Sequence, residues 1–158
     1  MMNKFFADSS VIVSLIAQDS RTPGCKAAYM KLGRPRLMYT PLHELEVGNA
    51  LRLRSYLAAA GSAKPTLIRK QQVEAEARLQ ALIRRQVLIP TAVKWEEMIR
   101  EAMRLSEQQT VRLGARALDI LQVAAALVLN AEVFLTADLK QARLAKAMKL
   151  EVVNVAGG

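Results

Sequence analysis

The sequence predicts an α/β fold in which helices cover both faces of a parallel sheet. Short apolar runs of strand length alternate with longer stretches of helical periodicity along the chain. Strands that are apolar throughout and separated by helices are typical of parallel sheets buried on both faces. With 158 residues, of which 52% are hydrophobic and 23% charged, the chain is long enough to bury a substantial core. We expect a single domain over residues 1–158.

The strands are predicted from short apolar runs and the helices from an apolar period of about 3.6 residues. The runs "KFFA", "RLMYT", "VLI", "EVFLT" and "EVVNV" predict strands at residues 4–7, 36–40, 87–89, 132–136 and 151–155. The intervening segments predict helices at residues 9–17, 23–31, 41–60, 66–85, 91–113, 115–130 and 139–149. Thr40 and Pro41 form a typical helix start, whereas Gly61 and Gly114 are typical helix stops. The loop 61–65 is expected to join the two helices of a hairpin.

The charge balance is strongly basic. Lys and Arg number 23 against 14 Asp and Glu, which gives a net charge of +9 and an isoelectric point near 10.1. This balance favours an anionic partner, either nucleic acid or an acidic protein surface. The single cysteine, Cys25, cannot form an internal disulfide, which fits a reducing compartment. No apolar run approaches the roughly 18 residues of a membrane span. We therefore expect a cytoplasmic protein that does not associate with membranes.

Two aspartates directly follow predicted strands. Asp8 comes after "KFFA", and Asp138 comes after "FLTA". Because the carboxyl ends of parallel strands meet at one edge of a sheet, both are expected at the edge where α/β folds bind ligands. Taken singly, an aspartate in this position is more often a helix N-cap, so neither residue predicts a functional site without the other acids.

Two further acids are predicted on apolar helix surfaces. Glu46 interrupts a helix face shared by Leu42, Ala50, Leu53 and Leu57. Asp119 lies near the start of an apolar helix, among Leu118, Ile120, Leu121 and Val123. A carboxylate on such a surface is costly unless it is paired, protonated or bound to a metal ion. An arginine salt bridge is the ordinary explanation for either acid alone.

Together, Asp8, Glu46, Asp119 and Asp138 predict a divalent metal site. Carboxylates that converge on one edge of a sheet repel each other and raise each other's pKa values. A divalent cation removes this repulsion, and ligation by oxygen alone selects Mg²⁺ or Mn²⁺ over zinc. These four carboxylates are therefore expected to hold a Mg²⁺ or Mn²⁺ ion.

Several segments together resemble a PIN domain of the VapC toxin type over residues 4–155: "FADSSVIVSLI", "TPLHELEVGNALR", "ALDILQVAAALVLNAEVFLTADLKQARLA" and "KLEVV". The resemblance implies an α/β/α sandwich with a five-stranded parallel sheet, Mg²⁺-dependent endoribonuclease activity, a homodimer, and inhibition by a cognate antitoxin. It places the family's acidic metal ligands on Asp8, Glu46, Asp119 and Asp138. The bound ion would activate water for hydrolysis of a phosphodiester, so the resemblance implies that these four acids are the catalytic residues. Its supporting hydroxyl groups correspond to Ser10 and Thr136. Some members carry a further acid after the last one, where Gln141 stands here, so one or two bound metals remain open.

The RNA-binding surface is predicted from the basic residues of the middle helices. Arg52 and Arg54 are candidate phosphate contacts, and the ordinary alternative is a solvated helix face. Aromatic residues make up only 4% of the chain, so no base-stacking platform is predicted. Three functions stay open: an endoribonuclease toxin, a PIN nuclease of RNA processing without an antitoxin, and a basic RNA- or protein-binding module that does not cleave.

Overall fold

The computed structural model describes residues 4–64 and 66–155, and a parallel sheet of five strands lies at its centre. The strands are β1 (Phe5–Ala7), β2 (Leu37–Tyr39), β3 (Leu88–Pro90), β4 (Val133–Thr136) and β5 (Glu151–Asn154). Their order in the sheet is β3-β2-β1-β4-β5, and every pairing is parallel. The predicted α/β fold with a five-stranded parallel sheet is therefore confirmed, and β1 lies in the middle of it.

Helices cover both faces of this sheet. They are α1 (Ser9–Ile16), α2 (Thr22–Lys31), α3 (Pro41–Ala59), α4 (Arg69–Arg84), α5 (Trp95–Leu113), α6 (Ala117–Val128) and α7 (Leu139–Ala147). Alternate side chains of a strand point to opposite faces, and the core divides accordingly. Ala7 and Leu135 pack with α1 to α4, whereas Phe6 and Phe134 pack with α5 to α7. The result is the expected α/β/α arrangement.

Several helices are shorter than predicted, and each difference has a local cause. α4 begins at Arg69 rather than at 66, because Ile68 is its N-cap residue. The Ile68 amide donates a hydrogen bond to the Gln71 side chain at 3.0 Å. α5 begins at Trp95 rather than at 91, because the Thr91 amide donates to the Tyr39 carbonyl (2.8 Å) and keeps this segment beside β2. These differences leave the predicted element order unchanged.

Left-handed residues end the helices. Gly61 (φ 69°) and Gly114 (φ 63°) stop α3 and α5, as predicted. Asn130 (φ 54°) and Lys149 (φ 65°) do the same after α6 and α7, which therefore end before the predicted limits. In the expected hairpin loop 61–65, Pro65 lies outside the described residues, and α3 and α4 pack against each other. In the part of the chain that is described, no helix has both the length and the apolar character needed to cross a membrane.

Candidate active site

The predicted acids lie on the wall of one cavity at the carboxyl edge of β1 and β4. The cavity has a volume of about 180 Å³ and is lined by Asp8, Glu46, Asp119 and Asp138, among others. Asp8 leaves β1 and caps α1, and Asp138 follows β4 and caps α7. Glu46 and Asp119 come from the first two turns of α3 and α6. Four elements that are distant in sequence thus bring together the residues that the sequence singled out.

Asp8 is the most buried of these acids, with 4% of its surface exposed. Its carboxylate accepts hydrogen bonds from the Val11 amide (3.1 Å), the Ser10 hydroxyl and the Thr136 hydroxyl. Burial raises the pKa of Asp8, and the two hydroxyl groups oppose that rise by stabilising the charged form. Asp8 is therefore both an N-cap and a rigidly held carboxylate at the cavity.

Thr136 connects Asp8 to the start of α7. Its hydroxyl oxygen accepts a hydrogen bond from the Asp138 amide at 3.0 Å. The same hydroxyl oxygen lies 2.9 Å from Oε1 of the Gln141 side chain. The Asp138 carboxylate in turn accepts from the Gln141 amide of the main chain at 2.9 Å. Ser10 and Thr136 thus both contact the Asp8 carboxylate, and their role as supporting hydroxyl groups stays a prediction.

Glu46 is held by two polar side chains that the sequence reasoning did not identify. Ser9 donates a hydrogen bond to its carboxylate at 2.7 Å, and the Gln122 side-chain amide donates to the same oxygen. Burial raises the pKa of Glu46, and the negative charges of Asp8 and Asp119 raise it further. Gln122 is 2% exposed and lies three residues after Asp119, on the same helix face. A glutamine at that spacing in an otherwise apolar helix was the available signal.

Two arginines lie at the edge of the acidic cavity. The Nε atom of Arg116 lies 3.3 Å from the Asp119 carboxylate, and the Arg116 side chain is 82% exposed. This pairing leaves Asp119 accessible from the cavity. Arg21 also lines the cavity, and its side chain reaches Asp19 at 3.5 Å. Acidic groups in the cavity and cations at its edge form the charge pattern that suits a metal ion and a phosphate group side by side.

Two details of the predicted surroundings are wrong. Leu53 is 51% exposed, because the buried face of α3 follows Leu42, His43, Val47 and Leu51 instead. Glu46 therefore lies beside the buried face and not along it. Leu118 is 53% exposed, so Asp119 has water on one side.

The two predicted phosphate contacts differ in their surroundings. Arg54 is 13% exposed and forms an ion pair with the buried carboxylate of Asp19 at 2.9 Å. Arg52 is exposed, and its guanidinium lies over Gly48, where an added Cβ would come within 3.0 Å of it. Arg52 is thus the more accessible of the two, and both phosphate contacts stay predictions.

The chemistry of the cavity fits a divalent cation. Its acidic side chains offer only oxygen atoms, the ligands that Mg²⁺ and Mn²⁺ prefer. Burial, and to a smaller extent the neighbouring carboxylates, raise the pKa of Glu46, and a bound cation would offset the cost of its negative charge. Gln122 Oε1 is buried without a hydrogen-bond partner among residues 4–64 and 66–155. Over the same residues, no three His, Cys, Asp or Glu side chains are already grouped closely enough to hold a metal ion.

The fold and this cavity define a class of α/β proteins with an acidic site at the carboxyl edge of a parallel sheet. The PIN domain family model matches residues 5–147, and the chain belongs to that family. PIN domains are generally nucleases that use divalent metal ions. No curated protein matches the chain in sequence at a significant level.

Solved structures support the same fold. FitAcB from Neisseria gonorrhoeae is similar with a TM-score of 0.63 and 14% identity, over 96% of this chain and 98% of that one. A domain of a functionally unknown protein from Methanocaldococcus jannaschii DSM 2661 is similar with a TM-score of 0.50 and 16% identity. That match covers 97% of this chain and 91% of the other. At these identities the similarity concerns the fold alone.

Proposed function

We propose that this protein is a Mg²⁺- or Mn²⁺-dependent endoribonuclease and the toxin of a toxin–antitoxin pair. The observation that carries the proposal is the position of Asp8, Glu46, Asp119 and Asp138 on one cavity wall in a PIN domain. Asp8 and Asp138 also cap helices, but N-capping does not require four carboxylates from separate elements to converge on one cavity. The net charge of +9 is compatible with an RNA substrate.

The chain's own residues divide the work of hydrolysis. Ser10 and Thr136 fix the Asp8 carboxylate, and Ser9 and Gln122 fix that of Glu46. Restraining the carboxylates in this way lowers the reorganisation needed when substrate binds. A divalent cation held by the acids would supply an activated water and neutralise charge on the phosphate.

The cations at the cavity edge are suited to orient the RNA backbone. Arg116 projects into solvent beside Asp119, and Arg21 lies on the same cavity wall. A guanidinium group donates two parallel hydrogen bonds to a phosphate, which fixes the position of the phosphodiester as well as its charge. We propose that these two arginines hold the phosphates that flank the bond to be cleaved.

The catalytic proposal is tested by replacing Asp8. The change Asp8→Asn keeps an N-capping side chain, so the protein should fold, while removing the buried negative charge. We expect cleavage of a fluorescent single-stranded RNA to fall by a factor of about 100 or more, and chelation with EDTA to abolish cleavage by the wild type. Glu107→Gln, an exposed position on α5, is the matched control and should cleave normally. Full cleavage by folded Asp8→Asn protein would refute the proposed mechanism.

The toxin assignment needs a different experiment, because a processing nuclease without an antitoxin would also cleave RNA. Induced expression should arrest growth, and co-expression of the product of the adjacent gene should restore it. Arrest by the wild type but not by Asp8→Asn would connect toxicity to the acidic site. Growth unaffected by an active enzyme would favour the RNA-processing alternative.

We also propose a homodimer, which light scattering of the purified protein would detect as twice the 17.4 kDa chain mass.

A further inference from the structure

A second cavity opens on the same edge of the sheet as the acidic cavity. Its volume is about 380 Å³, and it lies at the carboxyl ends of β2 and β3, whereas the acids follow β1 and β4. Since β2 is the neighbour of β1, the two cavities are adjacent. Helix α3 connects them: Pro41 lines the second cavity and Glu46 the acidic one, about 7.5 Å further along the helix.

Tyr39 gives this cavity a hydroxyl group without a protein partner among the described residues. The side chain lines the cavity, is 6% exposed and stacks on His43 with a ring separation of 5.8 Å. No hydrogen bond to its hydroxyl is made by residues 4–64 and 66–155. Burial and the negative charge of Glu44 raise the pKa of Tyr39 to about 12, so the hydroxyl is a hydrogen-bond donor at neutral pH. The hydroxyl opens into the cavity and is not sealed from water, so a ligand atom can take the place of the water that it bonds there.

Glu44 supplies the complementary acceptors. It lies in the first turn of α3, is exposed, and forms no salt bridge with any residue in the described ranges. Glu44 and Tyr39 both line the cavity, and the negative charge of Glu44 contributes to the raised pKa of Tyr39. The rest of the wall combines apolar side chains, such as Pro41, Ile83 and Pro90, with polar ones from Thr40, Gln80 and Thr91. A ligand that has both an apolar face and a hydrogen-bonding edge, such as a nucleobase, suits a wall of this kind.

We propose that this second cavity binds a guanine base of the RNA substrate next to the bond that is cleaved. Guanine presents one acceptor, O6, beside two adjacent donors, the N1 and N2 hydrogens. The Tyr39 hydroxyl complements O6, and the two oxygens of Glu44 complement the donors. Uracil, cytosine and adenine each place an acceptor against a carboxylate oxygen in this arrangement, which is unfavourable. The inference rests on the proposed ribonuclease function and adds a base preference to it.

Binding of short RNAs tests the inference without requiring cleavage. Fluorescence anisotropy is measured in EDTA with labelled hexauridylates that carry one guanosine, adenosine, cytidine or inosine at each position in turn. We expect guanosine at one position to increase affinity about 10-fold over the other standard bases, the discrimination of a two-point hydrogen-bonded pair. Inosine lacks the 2-amino group and should lose most of that gain.

Two variants assign the preference to the cavity. Glu44→Gln replaces one acceptor oxygen with a donor, and Tyr39→Phe removes only a hydroxyl that bonds to no described residue, so both should stay folded. Each should reduce the guanosine preference below about 3-fold, whereas Glu107→Gln, remote on α5, should retain it. Thermal unfolding of each variant checks that the fold is intact.

The outcomes separate this inference from the proposed function. RNA that is bound and cleaved with no base preference would overturn the guanine site and leave the nuclease intact. A preference that survives in both variants would overturn its assignment to this cavity. Absence of RNA binding would overturn the guanine site together with the RNA substrate. A guanosine preference in a protein that never cleaves would support the site and refute the catalytic proposal.

Discussion

Protonation of His43 should be a main cause of stability loss below neutral pH. The ring is fully buried and lies 4.7 Å from the ring of Phe6. Its Nδ1 atom accepts a hydrogen bond from the Thr40 amide at 3.0 Å, so the proton of the neutral ring resides on Nε2, which donates to the Ala7 carbonyl at 2.7 Å. A second proton on Nδ1 would face the Thr40 N–H. The fold therefore favours the neutral ring.

The size of the effect follows from the pKa of this ring. Burial lowers the pKa of His43 from 6.5 to about 4 in the fold, despite the hydrogen bond to Ala7. Because the unfolded chain takes up the proton first, stability is full above pH 6.5 and is lost progressively as the pH falls toward 4. The total loss is about 3 kcal/mol, of which about 2 kcal/mol should be lost between pH 7 and pH 5.

Urea unfolding followed by circular dichroism at pH 7 and pH 5 measures this loss. The carboxylates also titrate, so the comparison is with His43→Gln, whose side chain can accept the Thr40 amide hydrogen bond but cannot be protonated. The variant should be less stable at pH 7 and should lose about 2 kcal/mol less than the wild type on going to pH 5. Equal losses in the two proteins would show that the buried ring does not control acid stability.

Two other predictions concern metal binding and a buried ion pair. Mn²⁺ at ten times its dissociation constant should stabilise the wild type by about 1.4 kcal/mol, which is about 3–6 °C in melting temperature. Asp8→Asn should abolish this shift, and a shift retained by that variant would place the metal elsewhere. Asp19→Asn should lower the free energy of unfolding by about 2–3 kcal/mol, because it leaves the half-buried Arg54 without an anionic partner. Burial alone would raise the pKa of Asp19, but the hydrogen bond from Arg54 helps to lower it. The stability advantage of the wild type over Asp19→Asn should therefore disappear only in strong acid, when this carboxylate is protonated. Urea unfolding at pH 7 and pH 3 checks both statements, and identical midpoints at pH 7 would contradict them.

The sequence allowed the fold and the acidic residues to be predicted because both depend on local patterns. Apolar runs identify strands whatever their partners are, and an aspartate directly after a strand of a parallel sheet has a position fixed by topology. Asp8 and Asp138 were found in this way, and they do lie on one cavity wall. Glu46 was selected because it interrupts a helix face that was expected to be apolar and buried. Leu53 on that face is exposed, so this reason was only partly correct.

The contacts between distant segments could not be predicted, because no local pattern encodes them. Ser9, Glu46 and Gln122 form one hydrogen-bonded group although 113 residues separate Ser9 from Gln122. The second cavity depends on residues 91–94 staying outside helix α5, where the periodicity predicts a helix. That difference arises from a main-chain hydrogen bond between Thr91 and Tyr39, and its partner cannot be identified before the sheet is known.

β1 lies in the middle of the sheet and is synthesised early, whereas its neighbour β4 is synthesised late. Asp8 depends on the Thr136 hydroxyl, which lies 128 residues further along the chain. At ribosomal rates of about 5–20 residues per second, roughly 6–26 s pass between the synthesis of the two residues. During that interval β1 lacks β4, and the acidic cavity has only part of its wall. For the proposed ribonuclease, this order of synthesis means that the acidic site is incomplete until β4 has emerged.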